Sequence, residues 1–141
     1  MATPTFFNSF FENLPEKVHN LGSDTLTVAL CAAANAPDAA ADSVLTDLTQ
    51  ISYTNLSSRV LTQDTSAQTS GVYKLVIDDL VLTASGGSVA AFRYVVIYND
   101  TAASDQLICF YDYGSDLTLA NSETFTLNFD GTDGLLQIAE A

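Results

Sequence analysis

The sequence predicts an all-β fold, an antiparallel β-sandwich or barrel-like domain with a short N-terminal helix. From Thr25 onward, apolar and polar residues alternate with a period of two, as in half-buried strands. The apolar runs are short and are separated by Gly, Asn, Asp and Ser, which is typical of sandwiches and barrels. Strands do not alternate with helix-length segments, so a doubly wound α/β fold is not expected. With 141 residues, the chain is long enough to bury a core without a metal or disulfide.

The first element is predicted to be a helix within PTFFNSFFENLPEKVHNLG, residues 4–22. Five apolar residues recur at the spacing of one helix face, Thr5 can serve as the N-cap, and Pro15 limits or kinks the helix. The face either plugs one end of the core or binds another subunit. A membrane-surface helix is disfavoured because the basic polar face is missing. The five residues, which are the candidate partner interface, are Phe6, Phe7, Phe10, Phe11 and Leu14.

This pattern divides the chain into a helical anchor segment, residues 1–21, and a single β-sandwich domain, residues 22–141. The region from Thr25 onward contains enough strand candidates to form its own core. Deletion of residues 1–14 is therefore expected to leave a folded domain that has lost its partner.

The strand candidates begin with TLTVALC, residues 25–31, which is followed by an alanine-rich loop with or without a helical turn, residues 32–43. The loops SGG, NDTAASD and DGTDG then separate later strands and favour antiparallel neighbours. The remaining candidates are DLTQIS, SRVLTQ, GVYKLVIDD, LVLTAS, AFRYVVIYN, DQLICFYDYG, DLTL, TFTLNFD and GLLQIAEA.

The segment FRYVVIY, residues 92–98, is predicted to be a central strand because both of its faces are apolar from Tyr94 to Tyr98. Alternation places Phe92 on the same face as Tyr94. Arg93 lies near the start of the strand, where its long side chain can reach a carboxylate. A structural ion pair is the favoured interpretation, and a ligand-binding arginine is the alternative.

The charge balance restricts the partners. Four basic residues stand against seventeen acidic ones, for a net charge of -13. Nucleic-acid binding requires a cationic face, and anionic membranes repel an acidic protein, so neither is an expected partner. The sequence also contains no apolar run long enough for a membrane span. A neutral or basic protein surface remains the compatible partner.

Cys31 and Cys109 are the two cysteines, and both lie in apolar, strand-like runs. No secretory signal pattern is visible, so folding in a reducing cytosol is expected. Two buried free thiols are predicted, with a disulfide as the alternative.

The sequence offers little for catalysis. His19 is the single histidine and falls in a loop, so most zinc sites and catalytic triads cannot be built. NFDGTDG and YDYGSD resemble calcium loops faintly, but their spacing favours ordinary turns. We therefore expect no enzyme activity, no metal and no cofactor, and instead a structural or binding module.

Several segments resemble small virion structural proteins of tailed bacteriophages, for which the nearest description is capsid decoration or cement protein. The resemblance is carried by FFNSF, VHNLGSDTLTVALC and LTDLTQIS, and it is best over residues 82–138. It implies a β-sandwich-like protein that binds the major capsid protein on the outside of an icosahedral shell, as many copies or as a homo-oligomer. The implied location is the capsid exterior, after assembly in the host cytoplasm. The alternative is a tail- or fibre-associated module that binds a host-surface glycan.

Overall fold

The computed structural model describes residues 3–141, in which nine strands form three antiparallel sheets. One short helix, α1, and two single-turn 3-10 helices, Ala33–Asn35 and Leu45–Asp47, complete the regular structure of this part of the chain. The predicted all-β class is confirmed. The elements are β1 Thr5–Phe6, α1 Phe10–Asn13, β2 Leu26–Cys31, β3 Gln63–Thr69, β4 Val72–Ile77, β5 Leu80–Thr83, β6 Phe92–Asn99, β7 Leu107–Leu117, β8 Thr124–Leu127 and β9 Leu136–Ile138.

The sheets pack as two layers around one main core. The first layer is a four-stranded sheet in the order β1-β7-β6-β2. The second layer consists of a three-stranded sheet, β3-β4-β9, and a two-stranded sheet, β5-β8. Val28 and Ile97 of the first layer share the main core with Leu75, Leu82 and Leu127 of the second. Burial of this apolar surface is the main force that holds the layers together.

The central strand β6 is covered on both faces, as the sequence predicts. Val95 and Ile97 face the main core, whereas Tyr94 and Tyr98 belong to a second cluster on the opposite face of the sheet. The prediction that Phe92 shares a face with Tyr94 is wrong, because Phe92 lies in the main core. The pairing with β7 is irregular here, since Phe92 pairs with Leu117 and Tyr94 with Asp112, and the regular alternation of β6 does not extend to Phe92.

The long connection between β2 and β3 covers the second cluster. Leu45 and Leu48 pack against this cluster, so the segment that follows the alanine-rich loop covers the outer face of the first sheet. The prediction of a strand in DLTQIS, residues 47–52, is wrong. Asp47 ends a 3-10 turn, which its carboxylate holds by accepting the Ser43 and Val44 N–H groups, and residues 48–52 form no strand. In SRVLTQ, Val60 forms an isolated bridge to Thr27 and Gln63 begins β3, so the segment is not a strand of its own.

The N-terminal segment differs most from its prediction. The helix is a single turn, and the residues before it form β1, which pairs with β7 through Thr5 and Phe6. The N–H of Phe7 donates to the Ile108 carbonyl at 3.1 Å. Sheet hydrogen bonds and core contacts thus cross the expected boundary between residues 21 and 22. Phe6 packs against the main core and Phe7 lies in the second cluster, so their side chains point to opposite faces of the sheet.

Candidate partner-binding groove

The five residues predicted as an interface are divided between the core and the surface. Phe7 is fully buried in the second cluster, with its ring centroid 5.3 Å from that of Phe110, and Phe10 is 3% exposed in the main core. Phe7 is closed off from any partner in the folded protein, whereas Phe10 still lines the groove described below. The single exposed helix face is wrong, because Phe6 and Phe7 precede α1, and the assignment of the five residues to an interface stays a prediction. The helical spacing does not hold because β1 interrupts it. Phe6 and Leu14 are half-buried, and Phe11 is 64% exposed.

An apolar groove of about 630 Å³ lies beside these residues. One wall is formed by the segment that carries Phe6, Phe11 and Leu14, and the other by Leu136 and Ile138 of β9. We call it the β1–β9 groove. Ile138 is 48% exposed, so each wall presents a large apolar side chain to solvent. Concave apolar surfaces of this size are the usual form of binding sites.

The first wall is held in place by contacts among its aromatic rings. The Phe10 centroid lies 5.4 Å from that of Phe6 and 5.8 Å from that of Phe11. Phe10 is fixed in the core, so its ring contacts hold the more exposed rings of Phe6 and Phe11 in place. Such tilted and edge-on pairs stabilise beyond simple area burial. Phe11 is therefore presented in an ordered position.

The second wall depends on a close approach of two backbones. The N–H of Leu135 donates to the Leu75 carbonyl at 2.7 Å, which brings the chain against β4. Gly134 has a φ of +79°, and a Cβ there would lie 2.4 Å from the Leu75 oxygen. Only glycine fits this position without a shift of the backbone. Gly134 thus sets the course of the wall that carries β9.

Two carboxylates line the groove. Asp130 Oδ1 accepts the N–H groups of Asp133 and Thr132, each at 2.8 Å, and these bonds lower the pKa of Asp130. Asp133 lies 3.4 Å from the Lys74 ammonium group, and both side chains are partly exposed. The segment DGTDG is therefore a turn, as expected. Within residues 3–141, no three His, Cys, Asp or Glu side chains gather as a possible metal site.

His19 is buried, which its position in a loop did not predict. Asn99 Nδ2 donates to Asp24 Oδ2 at 2.6 Å and lies 3.0 Å from His19 Nδ1. The Asn99 amide is oriented because its oxygen accepts the N–H groups of Thr101 and Ala102. His19 Nδ1 is then the acceptor, which places the proton on Nε2. Burial lowers the pKa of His19, against an opposing effect of Asp24.

Arg93 forms the predicted ion pair. Its Nε and Nη2 donate to the two oxygens of Asp112 at 2.7 and 2.9 Å, a bidentate geometry. The bond from Arg93 lowers the pKa of Asp112. A smaller recess of about 280 Å³ lies beside this pair and is lined by Tyr113 and Phe125, among others. Tyr113 is 51% exposed, with its ring centroid 5.2 Å from that of Phe125.

Both cysteines are free and buried, as predicted. Burial raises the pKa of the Cys31 thiol to about 11, with a further contribution from Asp42. Burial also raises the pKa of Cys109. Since the thiolate is the reactive form, both groups behave as packing residues.

No protein-family model, curated protein or solved structure matches this chain. Among residues 3–141, no helix has both the length and the apolar content needed to cross a bilayer. The β1–β9 groove is the apolar concave surface that four of the five predicted interface residues line. The phenylalanine-rich segment marks its first wall in the sequence. No sequence signal marked β9 as the second wall.

Proposed function

We propose that this protein is a non-enzymatic structural component of a tailed-phage virion, which binds the outside of the capsid and stabilises it. The observation that carries the proposal is the β1–β9 groove with Phe11 and Ile138 exposed on its walls. Aromatic side chains in ordered, partly desolvated positions contribute most to protein interfaces. The resemblance of the strand and turn pattern over residues 82–138 to phage virion proteins supplies the identity of the partner.

The charge distribution supports a role on a particle surface. A net charge of -13 on 141 residues keeps copies apart in solution and favours a partner that is neutral or basic. On a shell, the same charge on outward faces keeps particles from associating. The partner in this proposal is the major capsid protein, and no nucleic acid, membrane or cofactor takes part.

Many weak contacts are sufficient for this role. A protein that bridges neighbouring shell subunits holds each of them by more than one contact, so modest affinity at each site gives strong retention. A groove flanked by a few exposed apolar side chains suits such a contact. The whole shell then gains stability from many copies.

The direct test is co-sedimentation of the purified protein with the phage heads it decorates. We expect saturable binding at a fixed ratio to shell subunits, density on the capsid exterior in a particle map, and slower loss of packaged genome on heating. Binding to tails alone, or a few copies per particle, would reject capsid decoration.

A second candidate function is a tail- or fibre-associated module that binds a host-surface glycan. The recess beside Tyr113 supports it, because an exposed aromatic ring next to Asp112 and Asn128 offers a stacking face with polar groups nearby. A glycan array with the parent and Tyr113→Ser tests this candidate. Binding that is lost in Tyr113→Ser, together with no binding to heads, would favour the second function over the first.

A further inference from the structure

The open side of the β-sandwich places two sheet edges at one groove. β1 is the last strand of the first sheet, and β9 is the last strand of the sheet β3-β4-β9. Within residues 3–141, β9 pairs with β4 on one side and with no strand on the other. The groove is lined by β9 but by no residue of β4, as expected if it follows the unpaired edge. An unpaired edge presents backbone N–H and carbonyl groups that can pair with another chain.

Apolar side chains flank this edge. Leu136 is buried and Ile138 is half-exposed on β9, while Phe6 and Phe11 face the same groove from the other wall. An extended segment added to β9 would place every second side chain toward these residues, because strand side chains alternate with a period of two. Main-chain bonds to the edge and apolar contacts in the groove together form the usual mode of strand addition.

The charges specify the segment further. Asp130 and Asp133 line the groove, and Lys74, which pairs with Asp133, is the one basic side chain within hydrogen-bond distance of either carboxylate in the described part of the chain. Glu12 stands next to Phe11 on α1. An occupant with lysine or arginine complements these carboxylates, whereas a second copy of this chain would bring a further net charge of -13.

We propose that the β1–β9 groove binds an extended segment of a protein partner, in which apolar residues alternate with lysine or arginine, as an added strand on β9. The proposal rests on the proposed function in one respect, namely that the shell subunit supplies the segment. The groove itself can be tested without the shell.

The test uses a short, end-capped peptide in which valine and lysine alternate, titrated into the isotope-labelled protein and followed by solution NMR. We expect saturable shifts at Gln137 and Ile138, and slower amide hydrogen exchange along β9. The double variant Phe11→Ser/Ile138→Ser should weaken binding at least about tenfold. Both residues are exposed, so this variant is expected to fold. Tyr113→Ser removes an aromatic ring of similar exposure elsewhere and should bind as the parent does.

Two peptide controls separate strand addition from simple attraction. A peptide with proline at its central valine lacks a backbone donor and should bind weakly. A peptide with glutamate in place of lysine should not bind. The proposal would be overturned by the absence of saturable binding, by shifts confined to other surfaces, or by equal binding of the proline peptide. Self-association of the parent that the double variant abolishes would identify a second copy as the occupant and also overturn it.

The outcomes distinguish this proposal from capsid decoration. If the peptide binds the groove but the protein does not co-sediment with heads, the groove stands and the decoration function fails. If heads bind the double variant as well as the parent, and the peptide does not bind, decoration stands and the groove proposal fails.

Discussion

Phe7 and Phe11 lie four residues apart in the same phenylalanine-rich segment, yet their truncation should have opposite consequences. Phe7 is fully buried against Phe110, whereas Phe11 is largely exposed. Replacing a buried phenylalanine with alanine costs about 3–5 kcal/mol, because apolar contact is lost and a cavity remains. Phe11→Ala should change the free energy of unfolding by only about 1 kcal/mol, because the exposed ring loses little more than its contacts with Phe6 and Phe10.

Urea unfolding measures this difference directly. If the denaturant slope is about 2 kcal/mol per molar, Phe7→Ala should lower the midpoint by roughly 2 M. The midpoint of Phe11→Ala should stay close to that of the parent. Total stability for such a domain is about 5–15 kcal/mol, so Phe7→Ala should leave a folded but weakened protein in water.

Deletion of residues 1–14 extends the same reasoning. It removes two buried phenylalanines, Phe7 and Phe10, together with the hydrogen bonds of β1 to β7. The two side chains alone account for about 6–10 kcal/mol, which is comparable to the total stability. We therefore expect the truncated chain to lose cooperative unfolding, in contrast to the expectation from sequence. Small, equal effects of Phe7→Ala and Phe11→Ala, with a truncated chain that melts cooperatively, would refute the reasoning and restore a separable anchor.

Three further predictions concern titratable groups. Burial lowers the pKa of His19, so as the pH falls the unfolded chain binds a proton at this residue before the folded chain does. The free energy of unfolding should therefore decrease as the pH drops below about 6.5. In urea unfolding at pH values above carboxylate titration, His19→Gln should remove this pH dependence. Cys31 and Cys109 should react with a thiol reagent only after denaturant is added, and fast labelling of the native protein would contradict their burial. Arg93→Met should cause a small, salt-sensitive loss of stability, because the pair with Asp112 is partly exposed, and a large loss measured by thermal unfolding would contradict this.

The strands that the sequence predicts best are those with a buried face. β6 combines β-branched and aromatic residues in a long apolar run, β2 places Leu26, Val28 and Leu30 on one face, and both strands occupy the first sheet. β3 was missed because its sequence, QDTSAQT, contains no large apolar residue, and most of the strand is exposed. It exists because Ser70 and Gly71 both adopt positive φ and form a tight hairpin with β4. Turn chemistry, and not hydrophobic pattern, determines this edge strand.

The candidate groove was half predictable for a related reason. The phenylalanine-rich segment indicates an apolar surface, but its spacing fits a helix face and an extended segment joined to a turn equally well. The extended conformation is selected because Phe6 pairs with Cys109, which lies in a distant part of the chain. The second wall, β9, reaches the groove through its pairing with β4, and Gly134 permits the close approach. Local patterns cannot specify either pairing.

The adjacent residues Phe10 and Phe11 connect folding to binding. Phe10 lies in the core, and the contact between its ring and that of Phe11 orders the exposed side chain before any partner arrives. A partner therefore does not have to order this wall, which lowers the entropic cost of binding. The same arrangement makes binding and stability interdependent, since an occupant that binds only the folded groove raises the melting temperature by an amount that grows with the logarithm of its free concentration above Kd. Under the proposed function, the shell would stabilise the decoration protein as much as the protein stabilises the shell.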